Sequence, residues 1–124
     1  NSIRQKLPKK WFATRIENKH GGGIPDVHIL ADGVPFWVEL KVAKSNRVDL
    51  SPHQVAWNMV YSTRGGANFV LVKHPSSKGL YLFDGDKGPS LLAGGIAGTE
   101  GLRFEDIGSM LEALRPRAAQ LLGL

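Results

Sequence analysis

The stretch Gly23-Ile24-Pro25-Asp26-Val27-His28-Ile29-Leu30-Ala31-Asp32-Gly33-Val34-Pro35-Phe36-Trp37-Val38-Glu39-Leu40-Lys41 carries the strongest structural signal in the chain. Asp-Gly between two apolar runs marks a tight hairpin. Ile24 to Leu30 is therefore expected to fold back antiparallel onto Phe36 to Ala43. Successive side chains of a strand point to opposite faces, so Glu39 and Lys41 share one face while Val38, Leu40 and Val42 share the other. In such a hairpin Asp26, near the start of the first strand, comes beside Glu39 on the second. Two carboxylates and an ammonium then occupy one small volume.

That inventory suits a divalent cation. Hard oxygen ligands hold Mg²⁺ while the ion keeps several waters and takes phosphate oxygens in its remaining positions. Asp26 and Glu39 are the expected ligands, with a main-chain carbonyl, that of Leu40, as a further donor. Lys41 is placed to orient a water or to offset charge that develops on a phosphate. Each half of the motif also has a plainer explanation. Glu-x-Lys on an open strand face is a common solvated pair, and Pro-Asp is a frequent turn dipeptide; their combination across a hairpin is the stronger signal.

Pro25-Asp26 followed by Glu39-Leu40-Lys41 resembles the PD-(D/E)xK nuclease superfamily. The flanking residues sharpen the likeness: Gly21-Gly22-Gly23 leads into Pro-Asp, Leu50-Ser51-Pro52-His53-Gln54 opens a helix, and Gly65-Gly66 precedes an apolar strand. Within the superfamily the chain is most similar to VRR-NUC domains and to small phage or archaeal Holliday-junction resolvases, over about residues 15 to 74. The resemblance implies an α/β fold, a restriction-endonuclease-like core with a mixed central β-sheet flanked by α-helices. It also implies Mg²⁺-dependent hydrolysis of DNA, with Mn²⁺ able to substitute, on duplex or branched substrates such as four-way junctions, often by a homodimer. Asp26, Glu39 and Lys41 carry over as catalytic residues, and Gln54 matches a glutamine found near the site in that family. Gln54 has an equal structural reading, because Ser51, Pro52 and Gln54 form a capping box. The family often has a further acidic residue on an upstream helix. Here Glu17 is the sole carboxylate before Asp26, in a segment that reads as a strand, so it is carried as a possible extra ligand and an acidic helix before Asn1 as a possible loss. Two other functions stay open: a homing or restriction endonuclease tuned to sequence, and a non-cutting nucleic-acid-binding module on the same fold.

Composition agrees with a polyanionic partner. The 124 residues suffice for one domain, 1–124, with 42% hydrophobic residues and a net charge of +5. Six basic residues, Arg4, Lys6, Lys9, Lys10, Arg15 and Lys19, fall in the first twenty against one acid. Lys44 and Arg47 follow the Glu-Leu-Lys strand. Lys9, Lys10, Arg15, Lys19, Lys44 and Arg47 are the expected contacts to nucleic-acid backbone, which would make binding salt-dependent. The absence of cysteine excludes disulfides and thiol catalysis. No stretch reads as a membrane span or secretory signal, and the cytoplasm of a bacterium or of a phage-infected cell is the default location.

Other motifs are weaker. Gly21-Gly22-Gly23 reads as a flexible connection or as a place where nucleic-acid backbone comes close. Gly94 to Gly98 lacks the Lys-Ser or Lys-Thr of a phosphate loop and reads as a plain loop. Asp84-Gly85-Asp86-Lys87-Gly88 fails the EF-hand pattern and reads as a turn. His20, His28, His53 and His74 lack metal-ligand spacing, although His28 is expected on the face of Asp26. The expected elements are a short basic N-terminal helix, strands over Phe12 to Glu17, Ile24 to Leu30 and Phe36 to Ala43, and a helix from Pro52 to Thr63 with Val55, Met59 and Val60 in the core. A strand over Asn68 to Lys73 follows, parallel to the Glu-Leu-Lys strand because a helix connects them. A strand from Gly79 to Phe83 and a helix from Phe104 to Leu114, broken or kinked at Pro116 with Ala118 to Leu122 continuing as a tail helix, complete the chain. Trp37 and Trp57 are expected to be buried.

Overall fold

In the computed structural model, which describes residues 7–17, 22–77 and 79–124, strands β1 (Trp11–Arg15), β2 (Val27–Ala31) and β3 (Val34–Val42) form an antiparallel meander. Asp32 and Gly33 both take positive φ, 49° and 84°, as a two-residue type I′ turn demands. That turn fixes the register, with Val27 opposite Val38 and Ala31 opposite Val34. The chain then crosses over through helix α1 (Pro52–Thr63) to β4 (Asn68–Lys73), which lies parallel to β3 as expected. β5 (Leu80–Asp84) and β6 (Leu102–Phe104) complete a six-stranded mixed sheet whose spatial order follows the chain, β1-β2-β3-β4-β5-β6. Between β5 and β6 come a 3₁₀ turn, Gly85–Lys87, and helix α2 (Gly88–Gly94); helix α3 (Ile107–Leu122) follows β6.

Alternation sorts the sheet into two buried faces. Val27 and Ile29 of β2, Val34, Phe36 and Val38 of β3, Phe69 and Leu71 of β4 and Leu80 and Leu82 of β5 pack against Met110, Leu111, Leu114 and Ala118 of α3. Phe36 meets Phe69 edge to face at 5.7 Å, a geometry worth about 0.5–1.5 kcal/mol beyond burial. Arg115 ties α3 to the hairpin, donating from Nε to the Ala31 carbonyl at 2.9 Å. The opposite face packs Val70, Val72 and Phe83 against Leu91 of α2, with Ala43, Val48 and Leu50 from the end of β3 and the loop after it.

Several expectations are corrected. Phe104 belongs to β6, not to the last helix, since Leu102 to Phe104 pair with β5. Helix α3 runs through Pro116 without ending; the proline lies on an exposed flank, where its missing N–H removes a helical bond to Glu112. The expected loop at Gly94 to Gly98 is a run of turns from Gly95 onward, and the helix before it, α2, had no counterpart in the sequence reading. Val60 is 51% exposed rather than core, and the buried residue of α1 is Asn58. The expected N-terminal helix, with Arg4 and Lys6, lies outside the described residues except at its end.

Ser51 caps α1 as the sequence suggested. Its Oγ accepts from the Gln54 N–H at 3.1 Å, and the Gln54 Oε1 accepts from the Ser51 N–H at 2.9 Å. Ser51→Ala is expected to cost about 1 kcal/mol in a denaturant melt.

Candidate active site

Asp26 stands one residue before β2, and its placement follows from the hairpin register. The pairing of Val27 with Val38, continued by one residue, sets Asp26 across from Glu39. A hydrogen bond closes the arrangement: the Leu40 N–H donates to Asp26 Oδ2 at 2.8 Å. On the other side the Ile16 N–H donates to the Asp26 carbonyl at 2.9 Å. The Pro-Asp half of the motif is thereby fastened to the Glu-Leu-Lys half by side chain as well as by strand pairing.

Alternation holds for Val38 and Leu40, while Val42 at the end of β3 is 63% exposed. Leu40 packs against the α3 side of the sheet, while Glu39 and Lys41 turn to the other face, level with Val70 and Val72 of β4. Glu39 is 1% exposed. A carboxylate so far from bulk water is costly unless hydrogen bonds or a cation compensate for its charge. His28 shares this face and meets Trp37 edge to face at 4.8 Å. Trp37 meets Trp57 at 5.6 Å, and Trp57 stacks on Tyr61 at 4.9 Å. These rings are half-buried rather than buried, and they form an aromatic row leading away from the carboxylates.

Helix α1 is held against the loop that carries Asp26. Gly23 has φ 75°, and a Cβ placed there would lie 2.0 Å from the His53 carbonyl oxygen. In this fold Gly23 serves a close approach to the start of α1. Gln54 is brought to this junction with its Oε1 engaged in capping, so the structural reading of that residue is satisfied.

Glu17 is exposed just beyond β1. Ile16 pairs with Asp26, so alternation turns Glu17 toward the opposite face, and it does not join the carboxylate pair. Among the described residues no group of three or more His, Cys, Asp or Glu side chains converges on a cation; the acidic donors here are the two of the core motif. Lys44 and Arg47 are paired with Asp49, at 3.0 and 3.1 Å. Lys9 and Lys10 are exposed at the far end of β1, where Trp11 pairs with Ala31, roughly 15 Å along the strands from Asp26. Arg15 is exposed at the near end, opposite Val27. Lys19 lies outside the described residues. Sequence reasoning missed Asp49, although its spacing from Lys44 and Arg47 was a usable signal.

A separate open groove of about 500 Å³ is lined by Ser45, His74, Tyr81 and Arg103 among others. Neither Asp26 nor Glu39 lines it. The carboxylate pair instead lies on the sheet face beside the start of α1, with Glu39 buried.

Burial lowers the His28 pKa from its ordinary value. An unfolded chain would then bind a proton more readily than the folded one below about pH 6.5, so stability falls as pH drops through that value. A shallow decline in melting temperature from pH 7.5 to 5 is expected, and it should flatten in His28→Gln.

No protein-family model matches the sequence, and no curated protein is significantly similar to it. Among the described residues no helix is long and apolar enough to cross a membrane.

Proposed function

We propose that this chain is a metal-dependent endonuclease with a restriction-endonuclease-like core of the PD-(D/E)xK type, hydrolysing DNA phosphodiester bonds with a preference for branched DNA. The observation that carries this reading is the fastening of Asp26 to the Glu39-Leu40-Lys41 strand through the 2.8 Å bond to the Leu40 N–H. It gathers the motif's two acids and its lysine at one point of the sheet.

The donor set fits a hard divalent cation. Two carboxylates, one of them 1% exposed, and the Leu40 main-chain carbonyl offer hard oxygens, and with two acids the remaining positions are left to water and substrate. Mg²⁺ or Mn²⁺ held there would polarise a phosphate and make a nearby water more acidic. Asp26 and Glu39 would hold the ion. Lys41, on the same face as Glu39, would steady the water or the charge that develops on the phosphate oxygens. Gln54 would act through the position of α1 rather than on the reacting atoms, because its carbonyl serves the cap. Lys44 and Arg47 would meet the backbone of the nucleic acid, and a homodimer would present two such sites to opposing strands.

The test is incubation of the protein with labelled four-way junction, flap and linear duplex, each with Mg²⁺, Mn²⁺ or EDTA. Cutting that needs metal supports a nuclease, and symmetric nicks confined to the junction identify a resolvase. Equal cutting of all substrates indicates a general or sequence-tuned nuclease. Binding with no cutting under any metal overturns the enzymatic reading in favour of a recognition module.

A further inference from the structure

The turn that follows β3 is built more firmly than a surface loop requires. Lys44 and Arg47 close it with a pair of backbone hydrogen bonds, from the Lys44 N–H to the Arg47 carbonyl at 2.8 Å and from the Arg47 N–H to the Lys44 carbonyl at 3.0 Å. Ser45 at its tip takes φ 58°, a conformation uncommon outside glycine and asparagine. Asn46 then anchors the tip to the loop after α2. Its Nδ2 donates to the Gly94 carbonyl at 3.0 Å, its Oδ1 accepts from the Ala97 N–H at 2.7 Å, and its own carbonyl accepts from the Ile96 N–H at 2.9 Å. Gly95 makes room for this, since a Cβ there would lie 2.2 Å from the Asn46 carbonyl oxygen.

Directly opposed residues of an antiparallel bridge project to the same side, and Lys44 and Arg47 form such a bridge. Asp49, two residues on, returns to that side. Lys44 Nζ lies 3.0 Å from Asp49 Oδ2, and Arg47 Nε lies 3.1 Å from Asp49 Oδ1. One cation therefore addresses each oxygen of a single anion. The carboxylate is 55% exposed, and ion pairs of that exposure contribute little to stability. Two cations carried on one anchored turn and directed at neighbouring oxygens of one anion are, however, the arrangement that receives a phosphate. The turn begins three residues beyond Lys41, roughly 10 Å along the line of β3.

We propose that the Lys44–Arg47 turn is a docking point for a backbone phosphate of bound nucleic acid, and that Asp49 is a resident stand-in which the phosphate displaces. The proposal rests on the reading that this face binds nucleic acid, but it does not need the bond to be cut. The Lys44 hydrogen bond, with the charges of Arg47 and Lys41, holds the Asp49 carboxyl below its usual range, so the stand-in is an anion at neutral pH. A phosphodiester must compete with it, which weakens contacts that engage this turn alone.

The test is binding of labelled duplex and four-way junction by fluorescence anisotropy in EDTA, over a series of salt concentrations, with inorganic phosphate as a separate competitor. Asp49→Asn should tighten binding about threefold to tenfold near 50 mM salt and steepen the salt dependence. The double variant Lys44→Gln/Arg47→Gln should bind more weakly, and adding Asp49→Asn to it should then change affinity by less than about twofold. Thermal melts of equal midpoint would show that each variant folds. Unchanged or weaker binding by Asp49→Asn overturns the proposal. So does an equal gain in the background lacking both cations, which would mark a diffuse charge effect, and so does failure of every form to bind DNA at low salt. Competition by millimolar inorganic phosphate that vanishes in the double variant supports the docking point; competition that persists there places phosphate elsewhere and counts against it. A protein that shows the Asp49 effect but never cuts DNA loses the nuclease reading and keeps this one.

Discussion

Asp26→Asn and Glu39→Gln are each expected to lower Mg²⁺-dependent DNA cleavage by about a thousandfold or more, while DNA affinity in EDTA changes by less than about threefold. The asymmetry follows from where these groups stand. Both are taken to act on the cation and the reacting phosphate, whereas the exposed basic residues supply the ground-state attraction. A second readout needs no turnover. Wild-type protein should melt at a higher temperature as Mn²⁺ is added, because an ion that binds the folded state alone stabilises it by mass action, and neither variant should respond. Cleavage that survives either substitution would remove the residue from the site.

The largest expected loss of stability comes from Asn68, at the head of β4. It is 1% exposed. Its Nδ2 donates to the Asn58 carbonyl at 3.0 Å and to Asn58 Oδ1 at 2.8 Å, and its Oδ1 accepts from Ser62 Oγ at 2.7 Å. Asn58 in turn donates to the Gln54 carbonyl at 2.8 Å. A buried amide chain therefore runs from the sheet along α1 to the junction where Gly23 rests. Gly85 leaves room for it, because a Cβ there would fall 2.0 Å from Asn68 Nδ2. Asn68→Ala would open a cavity and strand several partners, at a cost of about 3 kcal/mol, or a drop of roughly 10 °C in melting temperature. A change within about 1 kcal/mol would mean that the network contributes far less than its burial suggests.

The hairpin, the parallel β3–β4 pair and the limits of α1 were legible because local chemistry decides each of them. Asp-Gly dictates the turn, a connecting helix dictates the parallel strand, and Ser-Pro-x-Gln dictates the helix start. The carboxylate pair was legible for the same reason, lying within a single hairpin. What escaped depends on distant partners. Leu102-Arg103-Phe104 is too short to announce a strand and becomes one by pairing with β5. Pro116 is tolerated because Met110, Leu111, Leu114 and Ala118 hold α3 to the sheet on both sides of it. The roles of Gly23 and Gly85 are set by the atoms of His53 and Asn68, many residues away. Lys44 and Arg47 read as free cations until the turn between them brings Asp49 into reach.

The identity of spatial and chain order in the sheet bears on how the protein assembles. Each strand pairs with its immediate predecessor, but the closures differ in length: two residues join β2 to β3, whereas helices α1 and α2 intervene between β3 and β4 and between β5 and β6. Short closures favour fast folding. On that ground Asp26 and Glu39 would meet in the β2–β3 hairpin before the crossover forms, and the junction of Gly23 with His53 would come after it. The chain would bring its carboxylates together early and complete their surroundings late. An encounter with substrate would be productive only once the second half of the sheet had docked.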